Sequence, residues 1–576
     1  MGLVANESQL RGVAASDGIA IGSAYCYVPP DLTVPKRKPE TNELELALFN
    51  AALVQARNEL RNLMVERIGE KEAAIFDAHL MILDDPAFLK RIRKEVEGGQ
   101  IVEQAVINAA KDLANMLAGM TNEMFAARAM DMRDVGRRIL RILLSLPDCA
   151  LSSMDTPSIV IAHDLTPSDT ASLNPELTQG FCTVAGGLTS HSAILARNLG
   201  FPAIVALGDD LVESIPAGTP LVLDGQAGIL FINPSASTVE IYRKKKDERE
   251  NRIQQIRSIA TKPAETADDI RVEVAANIGD LASAHDAVKY GAEGVGLLRT
   301  EFLYLDETQP PTEEKQYNIY RQIFEVLGHR PVIVRTLDIG GDKPPSYMLF
   351  PTEMNPFLGW RAIRISLDRL ELFKTQLRAI LRATEGYQAR IMFPMIVDLD
   401  EPRQARKVVE EVEKELEAEH RPFAQDVPIG IMVETPAAAV LIDVLAEASD
   451  FFSLGTNDLT QYTLAVDRGN AAIFALYQPL HPSLLRLIKQ TIDLAHSKGK
   501  WVGMCGELAG MPKAIPVLLG MGLDEFSMGP RAIPEAKFLI GKLDAEKSCQ
   551  ITEKALSFGT AAEIESFMQL ILDEIR

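Results

Sequence analysis

A short polar segment at residues 189–192 has the residue types of a site that handles phosphate. Its sequence, Thr-Ser-His-Ser, lies between the pair Gly186-Gly187 and the helix-forming run SAILARNL, in a chain with only eight histidines. Two glycines allow a tight turn. A helix that begins there offers unpaired backbone N–H groups and a positive dipole end to an anion. His191 is therefore either a nucleophile that carries a phosphoryl group or an ordinary residue of the first helical turn.

A second set of polar residues directly follows short apolar runs in the second half of the chain, such as GVGLL, IGIMV and WVGM. These residues are Arg299, Arg335, Glu434, Asn457, Asp458 and Cys505, with Arg361 and Arg468 nearby in sequence. In parallel barrels the residues that follow the strands gather at the carboxyl face. We expect this set to form one site.

The chemistry of this second set suits an anionic substrate. Guanidinium groups bind phosphate or carboxylate with paired hydrogen bonds and stay charged at physiological pH. Glu434 and Asp458 offer the hard oxygens that Mg²⁺ takes alongside a phosphorylated ligand, although each carboxylate could instead pair with an arginine. Cys505 is either buried filler or an acid that gives a proton to a carbanion or enolate.

The elements that must position these residues follow from the periodicity of the sequence. Apolar runs alternate with helical patterns about eight times over roughly 250 residues, which predicts a closed (β/α)8 TIM-type barrel over residues 263–576. Residues 1–30 and 149–241 have strand character and predict a small α/β domain. Residues 31–148 have long helical periodicity and predict an inserted helical bundle. The charged run at 242–262 predicts a linker helix, so the fold class is multidomain α/β.

Composition narrows the classes of function. The formal charge of the 576 residues is -21, from 59 basic and 80 acidic side chains, which argues against nucleic acid or acidic membranes as partners. Five scattered cysteines indicate a reducing compartment. We find no signal peptide and no apolar run near ~18 residues, so we expect a cytoplasmic protein without membrane insertion.

Seven segments together resemble one known family. In chain order they are GGLTSHSAILAR, EGVGLLRTEFL, RTLDIGGDK, NPFLGWRAIR, IMVETPAA, GTNDLTQYTLAVDRGN and GMCGELAG. They are similar to enzyme I of the bacterial sugar phosphotransferase system, the phosphoenolpyruvate-protein phosphotransferases. The similarity extends from about residue 11 to the carboxyl terminus, and the order of seven motifs makes a chance match untenable.

This resemblance implies a role for each candidate residue. His191 would be the nucleophile, attacking through Nε2, with Thr170 orienting it and Arg197 approaching its phosphate. The phosphate and carboxylate of phosphoenolpyruvate would be bound by Arg299, Arg335, Arg361, Asn457, Asp458 and Arg468, with Lys343 nearby. Glu434 and Asp458 would hold Mg²⁺, and Cys505 would protonate enolpyruvate to pyruvate.

The resemblance also implies partners and a moving domain. The α/β domain would swivel with His191 between the barrel and the phosphocarrier protein HPr, which would dock on the helical insertion. The family is homodimeric through its barrels. The sequence departs from the family at Leu188, where arginine is common, and this leaves the stabilisation of the phosphohistidine in doubt.

Each alternative to this family predicts a feature that can be looked for in the sequence. Pyruvate, phosphate dikinase and phosphoenolpyruvate synthase share the histidine domain and the barrel, but they add a nucleotide-binding domain. About 190 mostly helical residues precede His191 here, and they contain no glycine-rich phosphate loop. A nitrogen-regulatory enzyme I would need a further sensor domain. A non-catalytic phosphoenolpyruvate sensor would have degenerate catalytic residues, whereas these are intact.

Overall fold

The computed structural model folds as two compact units, residues Met1–Asn251 and Arg252–Arg576. The structure describes the chain apart from residues 1–6, 29–31, 67–69, 119–122, 147–150, 152–153, 166–168, 170–172, 175, 188–191, 194–195, 198–199, 209–214, 306, 341–344, 346, 349, 352, 471 and 576.

The first unit is built on a mixed eight-stranded sheet with the order β1-β8-β7-β3-β4-β5-β6-β2. The strands are β1 (Ser8–Arg11), β2 (Val13–Ser16), β3 (Ile19–Tyr27), β4 (Ser158–Ala162), β5 (Thr178–Thr183), β6 (Ala203–Val205), β7 (Pro220–Asp224) and β8 (Ile229–Ile232). Strands β3 to β6 are parallel neighbours, and the others pair antiparallel. Successive side chains of a strand point to opposite faces, so Val160 and Ile161 of β4 belong to separate apolar clusters on the two faces.

A helical bundle is inserted between β3 and β4. Its helices are α1 (Asn42–Glu66), α2 (Glu70–Leu83), α3 (Pro86–Glu97), α4 (Val102–Ala118) and α5 (Glu123–Leu143). They share their own apolar core, with Phe49, Phe88 and Ile139 fully buried. Because β3 and β4 are adjacent parallel strands, the chain leaves the sheet at the carboxyl end of β3 and returns at the opposite end of the pair, where β4 begins.

The second unit is a closed barrel of eight parallel strands in sequence order. The strands are β9 (Glu273–Ile278), β10 (Val295–Leu298), β11 (Val332–Arg335), β12 (Ala389–Phe393), β13 (Ile429–Val433), β14 (Phe452–Leu454), β15 (Val502–Met504) and β16 (Glu525–Met528). The ring closes where β16 pairs with β9.

Helices surround the barrel and bury its outer apolar surface. They are α6 (Ala236–Ile259), α7 (Leu281–Lys289), α8 (Phe302–Leu305), α9 (Glu313–Leu327), α10 (Ile363–Asp368), α11 (Leu370–Ala383), α12 (Asp400–Ala418), α13 (Pro436–Val440), α14 (Ile442–Leu445), α15 (Thr456–Leu464), α16 (Pro482–Ser497), α17 (Ile515–Gly520), α18 (Ile533–Ile540), α19 (Ala545–Ser557) and α20 (Ala561–Ile575), where α6 begins in the first unit. Single 3₁₀ turns occur at Pro356–Leu358, Phe474–Leu476, Glu507–Gly510 and Pro530–Ala532. The predicted fold class, multidomain α/β with a closed parallel barrel, is confirmed.

Candidate active site

Buried arginines and carboxylates meet at the carboxyl ends of the barrel strands. Arg335 ends β11, and its guanidinium pairs with Glu301 at 3.0 Å and with Asp338 at 3.1 Å. Arg361 pairs with the same Asp338 at 3.0 Å and with Asp458 at 3.3 Å. Arg335, Arg361 and Asp458 are all at least nine-tenths buried. The strand-end residues predicted from the sequence therefore include a connected, buried charge network.

The charges in this network support one another. Burial opposes the charge of the Arg335 guanidinium, but Glu301 and Asp338 outweigh it and raise its pKa. Burial also opposes the charge of Asp338, but Arg335 and Arg361 outweigh it and hold the pKa of this carboxyl below its ordinary value. Arg335 and Asp338 are therefore both charged at neutral pH, and the Arg335 guanidinium is held ready to bind an anion without reorganisation.

Two polar atoms of the network have no hydrogen-bond partner. Arg335 Nε is a buried donor and Asp458 Oδ1 is a buried acceptor, although Asp458 Oδ1 lies 3.5 Å from the Arg468 guanidinium. Buried polar groups normally have partners in the functioning protein. The unpaired Arg335 donor suits an anionic group, and the unpaired Asp458 oxygen suits a cation. The site therefore suits an anionic ligand that binds together with a cation.

Glu434 and Asp458 are the candidate metal ligands. Glu434 follows β13, is 2% exposed, and its Oε1 accepts a 2.6 Å hydrogen bond from Met395 N. Burial, and then Asp458 and Asp338, raise the pKa of Glu434 to about 8, because negative charges are crowded there. The sequence left open whether these carboxylates bind a metal or pair with arginines. Asp458 does pair with Arg361 and Arg468, whereas one carboxylate oxygen of Glu434 lies beside Gly455.

This pair fits a hard divalent cation. A cation would relieve the crowding of the two carboxylates and occupy the open Asp458 oxygen. In the described part of the chain, no three His, Cys, Asp or Glu side chains are close enough to hold a metal by themselves. Substrate and water would have to supply the remaining ligands, as is usual for Mg²⁺.

Cys505 lies inside the barrel, directly after β15. It is 3% exposed and packs with Leu297, Met392 and Met432. Burial raises the pKa of the Cys505 thiol to about 11, although Arg335 and Ser453 act in the opposite direction. The thiol is therefore protonated at neutral pH, which is the state that an acid catalyst requires.

The remaining predicted residues of the barrel lie at the rim of this network. Arg468 is half-buried. Asn457 is held by Glu507, whose backbone N–H donates to Asn457 Oδ1 at 2.9 Å. Arg299, directly after β10, is exposed. Arg468 pairs with Asp458 and so joins the network. Among the described contacts, no side chain of the network hydrogen-bonds Asn457 or forms an ion pair with Arg299.

Comparisons with known proteins agree with these features. Models of PEP-utilising enzymes match the N-terminal domain at residues 11–128, the mobile domain at 154–228 and the PEP-binding domain at 253–545. A phosphoenolpyruvate-protein phosphotransferase of Bacillus sp. (strain S) is 45% identical over 573 residues, 99% of both chains. This chain belongs to that family. The enzyme of the same name from Staphylococcus carnosus (strain TM300) is 44% identical, over 97% of this chain and 98% of its own.

Solved structures also match parts of the chain. A solution NMR structure of an Enzyme I protein is 38% identical, covers 42% of this chain and 99% of its own, and has a TM-score of 0.38. The family predicted from the sequence is confirmed, and the chain is an enzyme, against the dikinase, synthase and sensor alternatives. No helix within the described ranges has the length and hydropathy to cross a bilayer.

Four of the residues that the resemblance singles out lie outside the described residues: Thr170, Leu188, His191 and Lys343. Arg197, in the first unit, is exposed, and its Nε donates to the Ala193 carbonyl at 3.1 Å. Gly186 has a φ of 112°, in the region of backbone conformation that favours glycine. The roles given to these residues and to the barrel residues stay predictions.

Sequence analysis assigned no role to three residues that hold the site together: Glu301, Asp338 and Tyr462. Glu301 and Asp338 follow the same strands as Arg299 and Arg335, so their positions were a usable signal. Tyr462 lies four residues after Asp458 on α15, the spacing that puts two side chains on one face of a helix. Its hydroxyl accepts from Arg361 at 3.1 Å and donates to the Phe357 carbonyl at 2.6 Å.

Proposed function

We propose that this enzyme moves the phosphoryl group of phosphoenolpyruvate to Nε2 of His191, releases pyruvate, and then passes the phosphoryl group to a histidine of HPr. In bacteria this is the first step of sugar uptake by the phosphotransferase system. The observation that carries the proposal is the buried network of Arg335, Arg361 and Asp458 at the carboxyl end of the barrel.

The arginines account for binding of the substrate. Phosphoenolpyruvate carries a phosphate and a carboxylate. Arg361 and Arg468 pair with Asp458, and Arg335 pairs with Glu301 in the same network. The free Arg335 Nε offers a donor that substrate can take without breaking an existing hydrogen bond. Arg299, Asn457 and Lys343 would complete the cage from the rim.

Glu434 and Asp458 would hold Mg²⁺ together with oxygens of the substrate and water. The bound ion would draw negative charge from the substrate oxygens during transfer. Burial, and then Asp458 and Asp338, raise the pKa of Glu434, and a cation bound here would offset this unfavourable placement of negative charge.

Cys505 would complete the chemistry at carbon. When the phosphoryl group passes to His191, the P–O bond breaks, the P–N bond forms, and the enolate of pyruvate is left in the barrel. The Cys505 S–H bond then breaks and a C–H bond forms at C3 of the enolate, which gives the methyl group of pyruvate. A buried thiol with a pKa of about 11 holds this proton until the enolate accepts it.

Phosphoryl transfer needs the reacting atoms about 3–3.5 Å apart, and His191 must meet this condition at both the barrel and HPr. We therefore assign residues 1–30 and 149–241 to a swivelling phosphohistidine domain and residues 31–148 to HPr docking. Residues 242–262 form the linker, and residues 263–576 bind phosphoenolpyruvate and dimerise. The protein would work as a homodimer in the cytoplasm, with Thr170 orienting His191 and Arg197 contacting its phosphate.

The test is transfer of labelled phosphate in a purified system. Protein, Mg²⁺ and phosphoenolpyruvate with a ³²P phosphate should label the enzyme in an acid-labile, alkali-stable form and then label added HPr. His191→Ala should abolish both labels, while His285→Ala, an exposed histidine on α7, should leave them unchanged. Label on HPr from the His191→Ala variant, or labelling of the enzyme by ATP, would contradict the proposal.

A further inference from the structure

Half of the barrel interior below Cys505 is polar, which is unusual for a parallel barrel. Interiors of this kind are normally filled with branched apolar side chains. Here the strands β10 to β13 do supply Leu297, Ile333, Met392 and Met432. The polar half comes from the neighbouring strands β14, β16 and β9, with side chains Ser453, Glu525, Ser527, Glu273 and Asn277.

Two of these side chains are carboxyl groups with unsatisfied oxygens. Glu525 is 2% exposed and stands opposite Glu273 in the register of β16 and β9. Oε1 of each is buried and has no hydrogen-bond partner. Buried polar atoms left open in this way are normally satisfied by internal water.

Glycines make room for this pair. A side-chain carbon at Gly296 would lie 2.3 Å from Glu525 Oε1 and 2.6 Å from Ser527 Oγ. A side-chain carbon at Gly503 would lie 2.8 Å from the same Glu525 oxygen. Any larger residue at either position would displace the carboxyl, so the backbone is shaped around it.

The charges around the pair favour one shared proton. Burial, and then Glu273, raise the pKa of Glu525 to about 8. Burial also raises the pKa of Glu273. Asp524 adds to the shift at Glu525, and Glu293 adds to the shift at Glu273. Arg390, which lies over the Trp501 ring at 4.8 Å, acts against the shift at both carboxyls, and Arg271 acts against it at Glu273, but burial outweighs them. Two neighbouring carboxyl groups in one buried layer do not both ionise, so the pair keeps a proton at neutral pH.

The pair lies one step below the thiol. Trp501, Gly503 and Cys505 are every second residue along β15 and its two flanking positions, so they lie on the same side of the strand. The Glu525 carboxyl occupies the space beside Gly503. Two residues along a strand span about 6.6 Å. One water hydrogen-bonded to both the Glu525 carboxyl and the Cys505 thiol, with bonds of about 2.8 Å each, would span most of this distance. Ser453 also lies beside the thiol and favours its ionised form.

We propose that the Glu273–Glu525 pair is the proton store that reloads Cys505 after each turnover, through internal water. This rests on the proposed function, in which Cys505 loses its proton to the enolate. The Glu525 O–H bond breaks as the S–H bond forms again, with one water passing the proton on. Solvent then returns a proton to the pair through Glu273, which is partly exposed at the amino-terminal end of the barrel. The direction is favourable because the thiol has a pKa of about 11, above that of Glu525.

The test is Glu525→Gln, which keeps the shape of the side chain and removes its proton. The full-length variant would be mixed rapidly with phosphoenolpyruvate, Mg²⁺ and excess HPr, and pyruvate followed with time. Cys505 is protonated in the resting enzyme, so the first turnover should give one pyruvate per site at the wild-type rate. Later turnovers should be slower by about tenfold or more, with a larger solvent isotope effect.

Two further variants keep the result interpretable. Glu273→Gln changes the more exposed partner and should show the same burst with a smaller loss. Ile333→Val, in the apolar half, should show neither effect. The proposal is wrong if Glu525→Gln has a steady-state rate within twofold of the wild type. It is also wrong if the first turnover of this variant is slowed as much as the later ones. If Glu525→Gln fails to fold, Glu273→Gln without the burst would overturn it.

Cys505→Ala separates the two proposals. If it abolishes fast pyruvate formation while Glu525→Gln behaves like the wild type, the acid role of Cys505 stands and the store is wrong. If Cys505→Ala forms pyruvate normally in the first turnover, Cys505 is not the acid, and the Glu273–Glu525 pair cannot serve to reload it.

Discussion

Tyr462 offers a sharp test of how the barrel positions its arginines. Arg361 Nη1 donates to the Tyr462 hydroxyl at 3.1 Å, and that hydroxyl donates onward to the Phe357 carbonyl at 2.6 Å. Burial raises the pKa of Tyr462 to about 12, so the hydroxyl is neutral and can donate at every physiological pH. Tyr462→Phe removes this one atom and leaves the ring in place.

The magnitude follows from the contacts that remain. A hydrogen bond to a charged group contributes about 1.5–3 kcal/mol. Arg361 keeps its paired bonds to Asp338, so we expect the lower end of this range, equivalent to about a tenfold loss in kcat/KM for phosphoenolpyruvate. The loss should fall mainly on KM, because Arg361 binds the substrate but does not react with it.

The assay is steady-state pyruvate release with HPr in excess, together with thermal unfolding. Tyr387→Phe is the control, since this ring packs on Phe324 and Arg321 elsewhere in the same unit. It should leave kcat/KM unchanged. If Tyr462→Phe also leaves kcat/KM within twofold of the wild type, Tyr462 does not position Arg361, and the network must be held by Asp338 and Asp458 alone.

Three more predictions address other parts of the molecule. Cys505→Ala should block pyruvate formation but preserve phosphate exchange between His191 and phosphorylated HPr, as followed with ³²P; equal loss of both would make Cys505 structural. A fragment of residues 1 to about 245 should accept phosphate from phosphorylated HPr but not from phosphoenolpyruvate, and direct labelling by phosphoenolpyruvate would refute the assignment of substrate binding to the barrel. Glu525 has a pKa raised from its ordinary 4.5 to about 8, so the folded state binds its proton more tightly and wild-type stability falls as pH rises through this window. Urea unfolding at pH 5 and pH 8.5 should show Glu525→Gln gaining stability over the wild type at the higher pH by roughly a few kcal/mol, and a constant difference would contradict the raised pKa.

The sequence predicted the positions of the site residues better than their partners. Arg335, Glu434 and Cys505 follow short apolar runs, and a parallel barrel brings such strand ends together whatever the loops do. Which arginine meets which carboxylate depends on the connections. Arg361 reaches Asp338 because the backbone at Ala362 lies beside Ile339 and donates to its carbonyl at 3.1 Å, and no local pattern encodes that contact.

The polar interior of the barrel was hidden from sequence analysis for a different reason. The runs VEVAANI and EFSMG read as ordinary strand texture. The inward direction of Glu273 and Glu525 depends on the register in which β9 and β16 close the ring. Register follows from the whole barrel, because a shift of one residue would turn both carboxyls outward.

The sheet of the first unit has a consequence for synthesis of the protein. β1, at residues 8–11, has β8, at residues 229–232, as its neighbour, and β2 has β6. At roughly 5–20 residues per second, the ribosome needs about 10–45 s to deliver β8 after β1. The helical insertion needs only contacts within itself, and its folding brings the two flanking strands β3 and β4 together early. The nascent chain therefore has the contacts to fold its bundle while its amino-terminal edge strands still lack their partners, and unpaired strand edges of this kind are open to misassociation.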